Sequence, residues 1–185
     1  MSRRAFSVAI ALAFAASAGT QSAAAAQGNG AAPQAAVGGV SDPVRFVLAA
    51  YRLDAASPDK PGPIGMLDED KPEYTPRLRA LFAIQQREHG KDEVGRLDMD
   101  IFTGSQDGEV SDVAVEARDV DFAEPPRKVV IARFKLERQP REFFFYFEKL
   151  GGRWFLDDIA TPGDGTKEGM PPWTLSTVLK YGWQD

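Results

Sequence analysis

The segment "LDMDIFTGSQDGE", Leu97–Glu109, carries four acidic side chains and two glycines in thirteen residues. Acidic loops of this length bind calcium when oxygen ligands stand at positions 1, 3, 5 and 12 and glycine stands at position 6. A frame that starts at Asp98 places Asp100 at position 3 and Glu109 at position 12. Position 5 is then Phe102, and position 6 is not glycine. The spacing therefore argues against a metal site.

A structural corner is the better interpretation of the same segment. Phe102 is expected to pack into the core, and Gly104 permits a tight turn. Gln106 and Asp107 are expected to hydrogen-bond backbone amides where the chain turns into a sheet, as short polar side chains do in turns.

Acid–base chemistry is the second possibility that the residue types offer. Asp157 and Asp158 stand side by side in "RWFLDDIAT", and a carboxylate beside a tyrosine hydroxyl can serve as a general base. Cysteine nucleophiles and thiolate zinc sites are excluded, because the chain has no cysteine. The single histidine, His89, is interpreted as a cation at a helix end rather than a catalyst. No cofactor motif is present, so no cofactor is expected.

Two amphipathic helices precede these candidate residues in the chain. The first, in "SDPVRFVLAAYRLDA", repeats apolar residues at helical spacing: Val44, Val47, Leu48 and Tyr51. The second, in "YTPRLRALFAIQQREHG", has Thr75 as N-cap, Gly90 as its stop and a buried stripe of Leu78, Leu81 and Phe82. Residues 56–73 between them carry four prolines and the acidic run Asp68–Asp70, which predicts a long exposed loop.

Beyond Glu109 the apolar period changes from 3.6 to 2, which predicts four strands. They are expected at Val110–Val120, Lys128–Arg138, Arg141–Leu150 and Arg153–Thr161, followed by a short helix over Trp173–Tyr181. The order of elements predicts an α+β domain with N-terminal helices packed on one face of an antiparallel meander.

The strand pairing can be predicted from the turns, because a slip of one residue would turn every side chain to the other face. An even loop at Gly151-Gly152 predicts the pairs Phe147 with Leu156, Tyr146 with Asp157, and Phe145 with Asp158. An even turn at Gln139-Pro140 predicts the pairs Phe134 with Phe145, Ala132 with Phe147, and Arg133 with Tyr146. The face under the helices then holds Val130, Ala132, Phe134, Leu136, Phe143, Phe145, Phe147, Trp154 and Leu156.

The outer face of the predicted sheet mixes aromatic and charged side chains, which is typical of a pocket or a partner surface. The register places Arg133, Tyr146 and Asp157 in one row, partly exposed and carrying little of the stability. Flanking rows hold Lys135, Phe144 and Ile159, and Ile131, Glu148 and Phe155. Five residues are predicted to bind a ligand or partner: Arg133, Tyr146, Asp157, Phe144 and Lys135. A solvated face with a plain cross-strand ion pair is the open alternative. Asp158, on the core face, is expected to bond backbone amides of the following loop.

Several of these motifs resemble a family. "DIFTGSQD" is similar to the Asp-Pro-Phe-x-x-x-Gln-Asp signature of an exported bacterial domain family of unknown function, with Ile101 in place of the proline. "RWFLDDI" resembles its Trp-x-x-Asp-Asp-Ile strand, and "YTPRL" the start of its second helix. The resemblance implies a nuclear-transport-factor-2-like, cystatin-like fold with a curved sheet and a cone-shaped cavity. It implies no established activity. Structural rather than binding roles are predicted for the motif residues Asp100, Phe102, Gln106, Asp107, Trp154 and Asp158.

The N-terminus has the pattern of an export signal. The basic "MSRR" precedes the apolar "AFSVAIALAFAASA" and the small residues "SAAAAQ", so residues 1–26 are predicted to be a signal peptide cleaved after Ala26. "SRRAF" is a partial match to a twin-arginine signal, which leaves two export routes open, and an uncleaved anchor is the alternative. Residues 27–40 are predicted to be a flexible linker and residues 41–185 a single domain. The mature protein is expected in the periplasm or secreted, without stable membrane insertion.

The net charge of −5 argues against a nucleic-acid partner, because phosphate binding needs a basic face. The first hypothesis is a non-enzymatic, exported binding or envelope accessory protein that uses the open sheet face or cone. Its partner would be a small ligand, a peptide or an envelope protein, and a homodimer through the sheet face is a further hypothesis. The alternatives are a cofactor-free acid–base enzyme, and an inhibitor or immunity protein that acts on a secreted toxin or cell-wall enzyme through Asp68–Asp70.

Overall fold

Three helices and five strands form the computed structural model, which describes residues 38–56, 71–89, 95–106, 108–165 and 170–183. The elements are α1 (Pro43–Ala56), α2 (Pro76–His89), β1 (Val110–Val120), β2 (Arg127–Leu136), β3 (Gln139–Leu150), β4 (Arg153–Thr161), β5 (Trp173–Thr174) and α3 (Leu175–Tyr181). The predicted α+β class, with helices packed on a curved antiparallel sheet and a short C-terminal helix, is confirmed. The predicted signal peptide and the acidic run Asp68–Asp70 lie outside the described residues.

Each N-terminal helix begins at a side-chain cap. The Asp42 carboxylate accepts hydrogen bonds from the amides of Val44 and Arg45 at 3.0 and 3.2 Å. The Thr75 hydroxyl accepts one from the Leu78 amide at 3.1 Å. Both caps satisfy amides that have no partner within the helix, and the predicted N-cap role of Thr75 is confirmed.

The sheet follows chain order, with the strands arranged β1-β2-β3-β4-β5. The prediction of four strands was wrong by one, because Trp173 and Thr174 pair with Thr161 and Ala160 of β4 instead of starting the last helix. The end of the predicted linker is also ordered, since Val40 exchanges backbone hydrogen bonds of 2.7 and 3.0 Å with Trp154.

Aromatic rings fill the space between the helices and the sheet. The predicted core residues of β2, β3 and β4 are all buried, except that Trp154 is only partly so. Tyr51 of α1 is packed against Phe134 with ring centroids 4.8 Å apart, and its hydroxyl donates to the Phe102 carbonyl at 2.8 Å. The core face of β2 and β3, and that of β4 up to Leu156, was therefore predicted correctly.

The β2–β3 register differs from the prediction by four residues. The turn is Glu137-Arg138, both with positive φ (48° and 71°), and Leu136 pairs with Gln139. A two-residue hairpin turn of this kind needs positive φ at both central positions, which proline cannot adopt, so Pro140 lies in the strand. Because the shift is even, every side chain keeps its face while the partners change. Arg133 pairs with Glu142 rather than with Tyr146.

The β3–β4 hairpin contains a bulge that the sequence pattern did not reveal. Its Gly151-Gly152 turn and the pair Phe147–Leu156 are as predicted. The register then shifts, so that Tyr146 lies opposite Asp158 and Asp157 is the extra residue on β4. The predicted pairs of Tyr146 with Asp157 and of Phe145 with Asp158 were therefore wrong. Ile159 belongs to the core, where it is fully buried.

No helix in the described ranges is long and apolar enough to cross a lipid bilayer.

Candidate functional site

The acidic segment that suggested calcium forms a corner. The Asp100 carboxylate accepts hydrogen bonds from the amides of Phe102 and Thr103 at 2.6 and 3.1 Å. Gly104 has φ 69°, and Phe102 is buried in the core. Burial raises the pKa of Asp100, while its two backbone hydrogen bonds act in the opposite direction.

The corner prediction was correct in kind, but the residue that bonds the backbone is Asp100. Gln106 is exposed, and Asp107 lies outside the described residues. In the described ranges, no cluster of three or more His, Asp or Glu side chains could hold a metal ion.

Asp157, the bulged residue, is bonded on both carboxylate oxygens. Oδ1 accepts from Arg77 Nε at 2.9 Å and from the Thr75 hydroxyl at 2.7 Å, and Oδ2 accepts from Arg77 Nη2 at 2.8 Å. Only 14% of this side chain is exposed. The hydrogen bond to Asp157 is the main cause that raises the pKa of Arg77. A carboxylate held in this way ties the start of α2 to β4 and is poorly placed to take a proton from a substrate.

Asp158 has a matching structural role. Its Oδ1 accepts from the Ile159 and Ser176 amides, both at 3.0 Å, and its Oδ2 lies 3.3 Å from Arg77 Nη2. Asp158 therefore bonds backbone amides, as predicted. The amides belong to Ile159 in the same strand and to Ser176 in the first turn of α3, and not to the loop that follows β4. The predicted position on the core face was wrong, because the bulge turns Asp158 to the outer side.

Arg133 and Lys135 are engaged on another part of the outer face. Arg133 forms ion pairs with Glu142 and, at 3.0 Å, with Glu116. Hydrogen bonds to these glutamates raise the pKa of Arg133, and the Arg133 hydrogen bond lowers the pKa of Glu116. Lys135 Nζ lies 2.7 Å from the Asp112 carboxylate. Both side chains have the plain ion-pair arrangement that was the open alternative.

A groove of about 290 Å³ lies elsewhere on the outer face, where it includes the exposed Tyr146 and reaches Thr174 at the start of α3. Two neighbouring rows across the strands explain its composition. One row pairs Val120 with Arg127 and Arg127 with Glu148. The next pairs Val129 with Tyr146 and Tyr146 with Asp158. The lining residues are Val120, Arg127, Lys128, Tyr146, Phe147, Glu148, Asp157, Asp158, Ala160 and Thr174.

The groove combines apolar surface with a charged pair. Tyr146 is 39% exposed and Val120 is 41% exposed, both unusually accessible for large apolar side chains. Arg127 Nη2 contacts the Glu148 carboxylate at 2.5 Å. Within the described ranges, the Tyr146 hydroxyl has no hydrogen-bond partner. A ligand could therefore find an aromatic surface, a free hydroxyl and both signs of charge in one place.

The structure brings together only part of the predicted site. Tyr146 and Asp157 line the groove, while Arg133, Lys135 and Phe144 do not. Glu148 was placed on the outer face without a role, and the contributions of Arg127, Val120 and Arg77 were missed. One signal was available: two adjacent aspartates in a strand are unusual, and a bulge is one arrangement that accommodates them.

Comparisons of the chain with protein-family models, with curated proteins and with solved structures find no match. The resemblance to the exported domain family, with its nuclear-transport-factor-2-like fold, therefore stays a prediction. The groove is interpreted from its own residues.

Proposed function

We propose that this domain is a non-catalytic binding protein that takes a small amphipathic ligand, or one side chain of a peptide, in the outer-face groove. The observation that carries the proposal is the exposed Tyr146 ring beside the Arg127–Glu148 pair. The apolar part of the ligand would pack on Tyr146 and Val120, and its polar part would bond the charged pair. A volume of about 290 Å³ is at the lower end for ligand pockets, which favours a small group.

Acid–base catalysis has less support from the geometry. A general base needs a carboxylate that can receive a proton from a bound substrate. Asp157 and Asp158 both accept hydrogen bonds from Arg77. Asp157 also accepts one from the Thr75 hydroxyl, and Asp158 accepts one from the Ser176 amide. Arg133, the third residue of that hypothesis, is bonded to Glu142 and Glu116 instead.

The test is a nuclear magnetic resonance screen of the labelled domain with a library of small aromatic and aliphatic compounds that carry one polar group. We expect chemical-shift changes that cluster at Tyr146, Glu148 and Val120. Tyr146→Ala should weaken binding at least about tenfold, because one well-placed aromatic contact is worth more than about 1.4 kcal/mol. Tyr181→Ala is the matched control, since Tyr181 is 70% exposed and does not line the groove.

Two results would count against the proposal. Shift changes that map elsewhere, or that survive Tyr146→Ala, would remove the groove as the site. Chemical conversion of a bound compound, detected by mass spectrometry and lost in Tyr146→Phe, would favour the enzyme instead.

Export to the periplasm or beyond belongs to the same proposal and is supported by the basic and apolar N-terminal sequence. Mass spectrometry of the protein isolated from its own cells should find a mature N-terminus near Gln27. Protein with an intact Met1 in the cytoplasm would refute it.

A further inference from the structure

The far end of the β1–β2 hairpin is exposed on both of its faces. Side chains of a strand normally alternate between faces, so one face should be covered where a sheet packs on helices. Yet five successive residues at the end of β1, from Glu116 to Val120, are all exposed. The hairpin tip, residues 121–126, continues this ribbon and is anchored by the hydrogen bond from the Lys149 amide to the Pro126 carbonyl at 2.9 Å.

Phe122 stands at this tip with a relative exposure of 105%, so no described residue covers any of its ring. Its φ of 59° lies in the left-handed region, which a bulky residue rarely adopts. Among the described residues, this phenylalanine has no packing contact that would offset the exposure of its ring and the strain of its backbone. Residues held in such sparsely populated backbone regions cluster at binding sites and ligand clamps, and this motivates a binding role for Phe122.

Two carboxylates flank the ring. Asp121 and Glu124 are exposed, and within the described ranges neither has an ion-pair or hydrogen-bond partner. Asp119 differs, because it is paired with Lys128 at 2.5 Å. The tip therefore presents one aromatic ring between two unneutralised negative charges.

We propose that the hairpin tip is a protein-docking element, in which Phe122 enters an apolar pocket whose rim carries lysine or arginine. Aromatic side chains that become fully buried are the usual anchors of interfaces. Asp121 and Glu124 would speed and orient the encounter through charge complementarity. The proposal goes beyond the groove, and it stands on separate residues.

Charge argues for this partner over two others. An anionic lipid surface would repel the two carboxylates that flank the ring, and so would a second copy of a chain whose net charge is −5. A basic protein surface gains from the same charges.

The experiment is photo-crosslinking in cells that produce the full chain. In the test protein, p-benzoylphenylalanine replaces Phe122. In the control protein it replaces Arg138, which is also an exposed turn residue with positive φ. We expect a protein adduct from position 122 only, with lysine or arginine beside the crosslinked residue of the partner. Excess native domain should abolish the adduct in extracts. Phe122→Ala, or Asp121→Lys with Glu124→Lys, should need at least about ten times more protein to compete, as expected when an interface anchor is lost.

Other results overturn the proposal. They are an adduct with lipid, an adduct with a second copy of this chain, an equal adduct from position 138, no adduct at all, or equal competition by Phe122→Ala. Melting curves test whether the variants are folded. Phe122→Ala should shift Tm by less than about 2 °C, since no packing contact is lost. Tyr146→Ala should still compete fully, so that a failure of the groove proposal and a failure of this one can be told apart.

Discussion

The guanidinium of Arg77 and the carboxylate of Asp157 form two parallel hydrogen bonds, of 2.9 and 2.8 Å, across 80 residues of sequence. The same guanidinium also donates to the Asp157 carbonyl at 2.7 Å. Arg77 is in the first turn of α2 and Asp157 is the bulged residue of β4, so the contact fixes the helix start to the strand at its one irregular point.

This pair should contribute to stability more than the ion pairs elsewhere on the surface. Arg77→Ala and Asp157→Ala should each cost about 1–3 kcal/mol, since each leaves polar groups of the other residue without partners. We expect a coupling of about 1 kcal/mol in a double-mutant cycle followed by urea unfolding, because Arg77 is 44% exposed and solvent screens part of the interaction.

The matched control is the pair Arg133 and Glu116, where the same cycle should give a clearly smaller coupling because both side chains are well exposed and solvent screens their charges. Equal couplings in the two cycles would show that the Arg77–Asp157 contact is an ordinary surface pair.

The expectation that Asp157 would carry little of the stability is revised by this contact. Two features of the chain explain the error. An inserted residue changes the face of everything after it, and periodicity alone cannot reveal an insertion in a strand whose residues 157–159 read Asp-Asp-Ile. The partner residue, Arg77, is on a helix, and the alternation of residues along a strand cannot predict a contact with a helix.

The two faces of β3 predict opposite responses to substitution. Phe145→Ala should cost about 3–5 kcal/mol, because a fully buried ring would be replaced by a cavity. Tyr146→Phe should change stability by less than about 1 kcal/mol, because the hydroxyl is on the groove side and has no partner in the described ranges. Urea unfolding of both variants checks the contrast, and a tolerated Phe145→Ala with an unfolded Tyr146→Phe would mean that the faces are inverted.

The sheet was the most predictable part of the molecule, and the reason lies in its turns and periodicity. Gly151-Gly152 readily adopts the positive φ that a two-residue hairpin turn needs, and this turn and the adjoining strand ends are as predicted. Pro140 cannot adopt positive φ, so the turn is at Glu137-Arg138 instead. The sequence did not indicate this turn, because neither residue is a glycine or an asparagine. The even shift kept the core correct while separating Arg133 from Tyr146. Tyr146 was therefore predicted with the wrong neighbours, since it lies opposite Val129 and Asp158 rather than Arg133 and Asp157.

Asp100 should respond to pH in a defined direction. Since burial raises its pKa in the folded state, the folded protein binds the proton more readily than the unfolded chain. Its contribution to stability is then full below the unfolded pKa, about 3.9, and is lost as the pH rises through the raised folded value. Asp100→Asn removes this titration but keeps an oxygen for the amides of Phe102 and Thr103. The variant should gain stability relative to the native protein as the pH is raised from about 4 to about 7.

Asp100→Ala is the companion variant, because it removes the turn as well as the charge. It should lose about 1–2 kcal/mol at either pH. Urea unfolding at both pH values separates the two effects, and an Asn variant as unstable as the Ala variant would mean that the ionised carboxylate itself is required.

Calcium should leave the melting temperature unchanged. A specific site would stabilise the folded protein by mass action, but the Asp100 oxygen is already used by the backbone and the ligand spacing fails at Phe102. Thermal scans with millimolar calcium and with a chelator provide the check, and a rise of several degrees on adding calcium would contradict the corner interpretation.

The chain order of the sheet has a consequence for the speed and sequence of folding. Each strand pairs with the strand that follows it, so the contacts of the meander are local and can form early. The pairing of Val40 with Trp154 and of Tyr74 with Leu156 joins distant segments, and closing such long loops is entropically costly. We expect Val130→Ala to slow refolding, and Val40→Ala to speed unfolding with little effect on refolding, in stopped-flow measurements. The segment that contains Val40 is then the last part of the described domain to pair, and it pairs with a sheet that has already formed.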